Sequence, residues 1–197
     1  MNETAAHNAS FQLILNSSEE LIREKGCRKT TLQDIIERTG LSKGAIYHYV
    51  SGKDELFGLI LKSKIESMNF QFEEAVSAAT ERDAKSPIMA ITSGMMKTMD
   101  KDNVTNKIFT YLLSLADNPK VAAILRDVYQ YTHTTAERWI LTGQQAGAIP
   151  SEINAAKMAG MFMIFTYGLR VQNVVAGEGA LTLEAQDVFT LLFKSLQ

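Results

Sequence analysis

The segment from Thr31 to Lys53, TLQDIIERTGLSKGAIYHYVSGK, constrains the fold of this chain more than any other part of the sequence. Thr31 and Ser42 each precede a short helical stretch, and their hydroxyls can accept hydrogen bonds from the first backbone N–H groups of a helix. Gly40 lies between the two stretches and permits the left-handed backbone that a sharp turn needs. Two short helices around such a turn form a helix-turn-helix motif, which we predict over residues 31–50.

Residues on the outward side of the second short helix are predicted to contact DNA. Ile46 and Val50 lie four positions apart and take the inward side. Lys43 opens the helix, so its cation lies at the end that enters the major groove in this motif. The small residues Gly44 and Ala45 let the backbone of this helix approach the bases, and tyrosine hydroxyls can donate hydrogen bonds to phosphates. The predicted contacts from this helix and its cap are Ser42, Lys43, Gly44, Ala45, Tyr47, His48 and Tyr49.

Two positions outside that helix are predicted to hold phosphates. Thr31 begins the first short helix and Lys53 lies in the first turn of the next long one. Unpaired N–H groups and the helix dipole favour an anion at both places. The role of His48 stays open, because an imidazole that reads a base or a phosphate and an ordinary solvated histidine fit the pattern equally well.

Charge is unevenly distributed along the chain. The whole sequence has a formal net charge of −2, so a polycation that binds nucleic acid diffusely is not indicated. Between Lys25 and Lys53, six basic residues and two acidic ones give a local net charge of +4. A small positive segment on an acidic protein favours a localised contact with DNA.

Four motifs in the first third of the chain match the DNA-binding domain of one protein family. They are EKG at 24–26, TT.QDI at 30–35, TGLSKGAIYHYV at 39–50 and GKDELF at 52–57. In these motifs the chain resembles the TetR family of bacterial transcriptional regulators. The resemblance implies DNA contacts by Lys43, Gly44, Ala45, Tyr47 and Tyr49, and phosphate contacts by Thr31 and Lys53.

The whole chain has helical periodicity and no convincing strand signal. The three prolines fall between segments in which apolar residues recur at spacings of three and four. We therefore predict an all-α fold of about nine helices. After the helix that starts at Lys53, helices are expected at about 87–100, 103–116, 119–146, 151–176 and 182–196. The expected domains are a helix-turn-helix DNA-binding domain at 8–68, with a first helix at about 10–25, and a helical ligand-binding and dimerisation domain at 69–197.

The second expected domain is rich in methionine and aromatic residues. Thioethers fill irregular space, so this composition is typical of an adaptable cavity for a small, mainly apolar effector. A methionine-rich core without a ligand explains the composition equally well. If the cavity exists, its predicted lining includes Met96, Met99, Phe109, Tyr129, His133, Trp139, Phe162 and Tyr167.

The last two helices are predicted to form a homodimer interface. Apolar residues recur on the penultimate helix at spacings of four, three and four, and the last helix has a similar stripe. Apolar surface that one chain cannot cover needs a second subunit. The predicted interface residues are Met158, Phe162, Phe165, Leu169, Val188 and Leu192.

Other classes of function have little support in the sequence. The three histidines have no spaced carboxylate or cysteine that would indicate a metal site or a catalytic centre, so no cofactor and no enzymatic activity are expected. No apolar run reaches the ~18 residues of a membrane span, and a cytoplasmic location is expected.

We predict a repressor that binds a palindromic double-stranded DNA operator as a dimer and is released by the effector. The alternative is a helical interaction or sensor protein of the same fold that acts as an activator or does not bind an operator.

Overall fold

The computed structural model of the chain describes residues 3–80, 83–99, 102–176 and 183–197. Within these ranges the backbone forms nine α-helices and no strand, which confirms the predicted all-α fold. The helices are α1 (Glu3–Lys29), α2 (Leu32–Thr39), α3 (Lys43–Tyr49), α4 (Lys53–Ala78), α5 (Lys85–Met99), α6 (Val104–Leu113), α7 (Pro119–Gln145), α8 (Ala155–Val175) and α9 (Ala185–Ser195).

The chain divides into two compact units. The first contains the chain through Leu61 together with Lys107–Asp127, and the second contains Lys62–Asn106 and Val128–Gln197. The first unit therefore includes α1, α2, α3, the start of α4, most of α6 and the start of α7. Because part of α6 and the start of α7 belong to it, the first unit is not one continuous stretch of sequence.

The core of the first unit is built from apolar side chains of α1, α2, α3 and α4. Ile14 and Ile22 of α1, Ile35 of α2, Ile46 of α3 and Phe57 of α4 are almost completely buried. Burying a side chain of this size contributes about 1.5–3 kcal/mol, which short helices need because they are marginal in isolation. This packing fixes which faces of α2 and α3 point away from the core.

A glycine interrupts α1 near its end. Gly26 has φ 79° and ψ 163°, so the regular helix stops there and a short turn continues to Lys29. Thr30 closes this turn, because its backbone N–H and its hydroxyl both donate to the carbonyl oxygen of Gly26, at 3.2 and 3.0 Å. The break agrees with the predicted helix end at Gly26, although α1 begins earlier than predicted, at Glu3.

The second unit has a separate apolar core. α5 packs against α8 and α9, and Ala159 of α8 and Val188 of α9 are almost fully buried among the side chains of these helices. Gly94 of α5 allows close approach, since a Cβ at this position would lie 2.9 Å from Cγ of Met68. The unit is thus a bundle in which α9 is covered by helices of its own chain.

The residues of the predicted dimer seam lie against the core of the second unit. Leu169, Val188 and Leu192 are buried within the second unit, and Met158, Phe162 and Phe165 are partly buried against the same core. Apart from Val174, the apolar residues exposed on α8 lie one position away along the helix, on a stripe at spacings of three, four, three and four. That stripe consists of Met161, Ile164, Gly168, Val171 and Val175. Because α8 is apolar on both stripes, the sequence pattern alone does not distinguish the inward one.

The described ranges contain no helix with the length and apolar character that crossing a membrane requires.

The turn between α2 and α3 is expected to be intolerant of a side chain at Gly40. Gly40 has φ 67°, where an L-residue costs about 1–2 kcal/mol, although no atom lies within 4 Å of an added Cβ. Gly40→Ala should therefore lower the free energy of unfolding by about 1–2 kcal/mol in urea denaturation followed by circular dichroism. Gly44→Ala is the matched control, because Gly44 is helical, its Cβ would make only an ordinary contact with Oγ of Ser42 at 3.9 Å, and alanine should stabilise the helix by up to ~1 kcal/mol. Equal effects of the two changes would contradict the assigned backbone conformation.

Candidate nucleic-acid interface

A reciprocal pair of hydrogen bonds fixes the start of α2. Thr31 is the N-cap, and its hydroxyl oxygen accepts from the backbone N–H of Asp34 at 3.2 Å. The carboxylate of Asp34 accepts in return from the Thr31 backbone N–H at 2.8 Å and from its hydroxyl at 2.6 Å. This capping box holds Thr31, which is exposed, at the N-terminus of α2.

An ion pair connects the start of α2 to α1. The ammonium of Lys25 lies 2.6 Å from the Asp34 carboxylate. The hydrogen bond from Lys25 and those from Thr31 lower the pKa of Asp34 to about 2. Asp34 therefore stays ionised at neutral pH and neutralises the positive charge of Lys25. Less positive charge then remains for a ligand.

A second ion pair connects the end of α2 to α1. The guanidinium of Arg38 donates to both carboxylate oxygens of Glu24, at 3.0 and 2.7 Å, and to Glu20 at 3.4 Å. The hydrogen bond from Arg38 lowers the pKa of Glu24 and the same interaction raises the pKa of Arg38. The two-pronged geometry fixes orientation as well as distance, so α2 is held to α1 at both of its ends.

The turn that follows has the backbone that its sequence predicts. Gly40 is left-handed at φ 67°, and its N–H donates to the carbonyl of Ile36 at 3.0 Å. Ser42 then caps α3 by accepting from the backbone N–H of Ala45 at 3.2 Å. The predicted helix-turn-helix geometry is thus present, with Ser42 exposed at the start of α3.

The outward side of α3 presents most of the predicted contact residues. Lys43, Tyr47 and His48 are exposed, and the Lys43 ammonium lies 5.6 Å from the centre of the Tyr47 ring. Tyr49 is half-buried because its ring stacks on Phe11 of α1 at 5.3 Å. Gly44 is exposed and Ala45 is half-buried, so these two positions in the first turn of α3 have no bulky side chain that would keep a ligand at a distance.

Lys53 has a structural role that the sequence did not indicate. Its ammonium donates to three carbonyl oxygens, those of Cys27, Arg28 and Thr30, each at 3.1 Å. It also lies 5.4 Å from the centre of the Tyr111 ring of α6. Lys53 therefore holds the turn between α1 and α2 against the start of α4, and this turn leads directly into Thr31.

Tyr111 is a second residue at this junction that sequence reasoning missed. Its hydroxyl donates to the carboxylate of Asp54 at 3.1 Å, and its ring contacts Phe57 edge-on at 5.7 Å. Burial is the main cause that raises the pKa of Tyr111 to about 12, and Asp54 adds to it. No local signal in the sequence relates α6 to the first turn of α4, because the two are more than fifty residues apart.

Three further cations lie near the motif. Arg28, Lys29 and Lys43 are exposed, and among the described residues no carboxylate lies within ion-pair distance of them. Arg28 and Lys29 lie immediately before the start of α2. Carboxylates thus neutralise two of the six cations between Lys25 and Lys53, and the predicted contact set omitted two of the remaining four, Arg28 and Lys29.

Comparison with known proteins agrees with this geometry. Residues 14–60 match the model of bacterial regulatory proteins of the tetR family, and this range contains the whole helix-turn-helix. The regulator UidR of Escherichia coli K12 is 25% identical over 157 residues, which are 79% of this chain and 77% of UidR. Residues 14–60 form a TetR-family DNA-binding domain. The relatives are transcriptional regulators and not enzymes, so this chain with its TetR-family domain is a DNA-binding transcriptional regulator, as predicted.

Solved structures share the fold of this regulator over nearly its whole length. GusR of Salmonella enterica superposes with a TM-score of 0.63 at 18% identity and covers 95% of both chains. A TetR transcription regulator from Haloarcula marismortui gives a TM-score of 0.63 at 15% identity, over 96% of this chain and 95% of the other. At these identities the likeness concerns the fold.

The second unit of the regulator contains a cavity of about 670 Å³. Aliphatic and aromatic side chains from α4, α5, α7, α8 and α9 form most of its wall. Its volume is within the range of about 300–1,000 Å³ that is typical of small-molecule sites. Three of the predicted lining residues, Trp139, Phe162 and Tyr167, do line it.

The other predicted lining residues lie elsewhere or outside the described set. Phe109 belongs to the first unit, and Met96 packs on the apolar core without reaching the cavity wall. Tyr129 and His133 stack on each other, and Nε2 of His133 lies 3.0 Å from the carbonyl oxygen of Ala156. One sequence does not reveal which side chains of a long helix line a cavity. The side chain of Met99 lies outside the described residues.

The low pKa of Asp34 predicts a pH-dependent contribution to stability. A folded-state pKa of about 2, below the ordinary value of 3.8, stabilises the protein above about pH 4, and this contribution is lost as the pH falls toward 2. Asp34→Asn should lower the free energy of unfolding by about 1 kcal/mol at pH 7, after allowance for solvent screening. The difference from the wild type should narrow as the pH falls from about 5 toward 2 in urea denaturation. Asp117→Asn, at an exposed carboxylate, is the control and should show no such narrowing.

Proposed function

We propose that this protein is a ligand-responsive repressor that binds a near-palindromic DNA operator as a homodimer and is released by a small, mainly apolar effector. The proposal depends on the exposed outward face of α3. Within a helix-turn-helix, this face presents a cation, hydroxyl groups and small residues that let the DNA approach closely. One relative, KstR2 of Rhodococcus jostii, is named a repressor and is 24% identical over 58% of this chain and 61% of its own length.

The proposed DNA contacts divide into two kinds. Lys43, in the first turn of α3, is placed to reach base edges in the major groove, where lysine pairs with the acceptors of guanine. Phosphates are held by the tyrosine hydroxyls of α3, by Thr31 and by the charge of Lys53, and we add the exposed Arg28 and Lys29 beside Thr31. Base contacts give sequence preference, whereas phosphate contacts give affinity for any sequence.

Substitution of two lysines tests this division. Lys43→Ala should change the preferred base at one position, at a cost of about 1–3 kcal/mol, because it removes a base contact. Lys53→Ala should weaken binding to all sequences alike and reduce the salt slope by about one unit, since it removes a phosphate contact. The measurement is fluorescence anisotropy over a salt series, on an operator selected from random DNA.

The controls of this experiment isolate the role of each lysine. Lys120→Ala, at an exposed position near the start of α7, should leave affinity and salt slope unchanged. A lower affinity of Lys53→Ala with an unchanged salt slope would show that Lys53 acts only by holding the Cys27, Arg28 and Thr30 carbonyls. A wild-type protein that selects no sequence would contradict operator binding and favour the interaction or sensor protein.

The exposed stripe on α8 supports the proposed homodimer. Ile164 and Val175 are each 74% exposed, and Met161 is 61% exposed. Leu191 of α9 adds another exposed apolar side chain. An apolar stripe with alternating spacings of three and four suits packing against the same helix of a second copy. A dimer also supplies the two recognition helices that a palindromic site needs, about 34–36 Å apart.

A charge in this stripe should produce monomers. Ile164→Asp places a carboxylate at one of the two most exposed apolar positions of the stripe, and this charge would be costly to bury in a dimer. Sedimentation at micromolar concentration should show a dimer for the wild type and a monomer for the variant, with weakened operator binding. Leu141→Asp on α7 is the matched control, because Leu141 is also apolar and exposed, at 41%, but lies off the stripe. A monomeric wild type would contradict the proposed dimer.

The cavity supports the proposed control by an effector. Helix α4 carries Lys53 in the first unit and cavity-lining residues such as Met68 and Phe72 in the second. An effector that shifts α4 favours a state in which the recognition helices no longer match the operator. Operator DNA must then weaken effector binding by the same factor, typically about 5–150-fold.

A further inference from the structure

Tyr111 of α6 contacts the first turn of α4 with both its ring and its hydroxyl. The centre of the ring lies 5.4 Å from the ammonium of Lys53, within the distance of a cation–π contact. The hydroxyl donates to the carboxylate of Asp54 at 3.1 Å. One side chain of α6 therefore holds two neighbouring residues of opposite charge at the start of α4.

Tyr111 is itself held in place by the core of the first unit. Ile108 and Leu112 of the same helix are fully buried, so α6 is anchored beside Tyr111. The ring of Tyr111 also contacts that of Phe57 edge-on at 5.7 Å, and Phe57 is fully buried as well. Packing thus sets the orientation of Tyr111, which can then hold a flexible lysine side chain in one position.

Lys53 connects Tyr111 to the turn between α1 and α2. An ammonium has three N–H donors, and the carbonyl oxygens of residues 27, 28 and 30 accept from that of Lys53, each at 3.1 Å. These hydrogen bonds fix the backbone of the turn. The same backbone carries the exposed cations Arg28 and Lys29 and leads to Thr31, the N-cap of α2.

We propose that Tyr111 is a positioning residue for DNA binding, which acts through Lys53 on the phosphate contacts at the start of α2. This inference deepens the proposed function, because it rests on the phosphate contacts assigned to Arg28, Lys29 and Thr31. Ordering a loose side chain or turn on binding costs free energy, so a contact gives more affinity when its donor is already in place. Tyr111 itself makes no contact with DNA and lowers this ordering cost.

The second unit contains a matched pair of contacts, which provides a control. The hydroxyl of Tyr131 on α7 donates to Glu66 at 3.2 Å, and its ring centre lies 5.3 Å from the ammonium of Lys62. Both partners are on α4, as are those of Tyr111, but they lie outside the helix-turn-helix. Loss of either tyrosine should affect stability in a similar way, whereas only loss of Tyr111 should affect DNA binding.

A double-mutant cycle tests the proposal. Operator affinity is measured by fluorescence anisotropy for the wild type, Tyr111→Leu, Lys53→Ala and the double variant, and circular dichroism checks that each is folded. Tyr111→Leu should weaken binding about 3- to 30-fold in the wild-type background, because the cation–π contact is lost. In the Lys53→Ala background the same change should weaken binding by less than about 2-fold, since Tyr111 acts through Lys53. No loss for Tyr111→Leu, or equal losses in the two backgrounds, would overturn the proposal.

Further variants separate positioning from stability. Tyr111→Phe should retain most of the affinity, because the ring that faces Lys53 remains, and a loss as large as that of Tyr111→Leu would overturn action through Lys53. Tyr131→Leu is the matched control and should leave DNA affinity unchanged. An equal loss of affinity for Tyr131→Leu would show a general effect on the fold and would also overturn the proposal. If Tyr111→Leu does not fold, Tyr111→Met takes its place in the cycle.

Random-sequence duplex DNA is measured beside the selected operator, so that the two proposals can fail independently. Phosphate contacts act on any sequence, so the loss caused by Tyr111→Leu should be similar on both duplexes, and a loss confined to the operator would overturn the proposal. A wild type that selects no operator contradicts the proposed repressor, while the cycle on random-sequence DNA still tests Tyr111. A wild type that binds an operator but shows no coupling between Tyr111 and Lys53 retains the proposed function and loses the positioning role of Tyr111.

Discussion

Complete burial of one side of α3 is the constraint on which the DNA-facing surface depends. Helix α3 has only seven residues, so it has little stability in isolation and takes its orientation from packing. Ile46 is fully buried and Val50 is 2% exposed. Only one rotation of the helix about its own axis buries both side chains. The outward positions of Lys43 and Tyr47 follow from that rotation. A surface that must meet DNA accurately is thus set by apolar contacts on its opposite side.

Polar interactions then fix α2 relative to α1. These interactions pair much of the positive charge in this region with other groups of the protein. Lys25 pairs with Asp34, Arg38 with Glu24, and Lys53 donates to the carbonyls that precede Thr31. Half of the six basic residues between Lys25 and Lys53 therefore act within the protein. A count of charges along the sequence overestimates what a nucleic acid would encounter, because it does not show which cations are already paired.

Features determined by neighbouring residues could be predicted from the sequence. The caps at Thr31 and Ser42 and the turn at Gly40 depend on side chains within three or four positions, and they occur where the pattern predicts them. Features that depend on distant packing could not be predicted. Helix α8 has two adjacent apolar stripes, and only its contacts with α5 show that Leu169 points inward and Ile164 outward. The contacts of Lys53 and Tyr111 also join elements far apart in the sequence.

The only cysteine of the chain lies at the junction that Lys53 stabilises. Cys27 is 7% exposed, and burial raises the pKa of its thiol to about 11, so the thiolate that reacts with alkylating reagents is scarce in the native state. Its carbonyl accepts from the Lys53 ammonium, so exposure of the thiol requires this turn to open. The rate at which a thiol reagent labels the unmodified protein therefore reports local opening between α1 and α2, without any engineered probe.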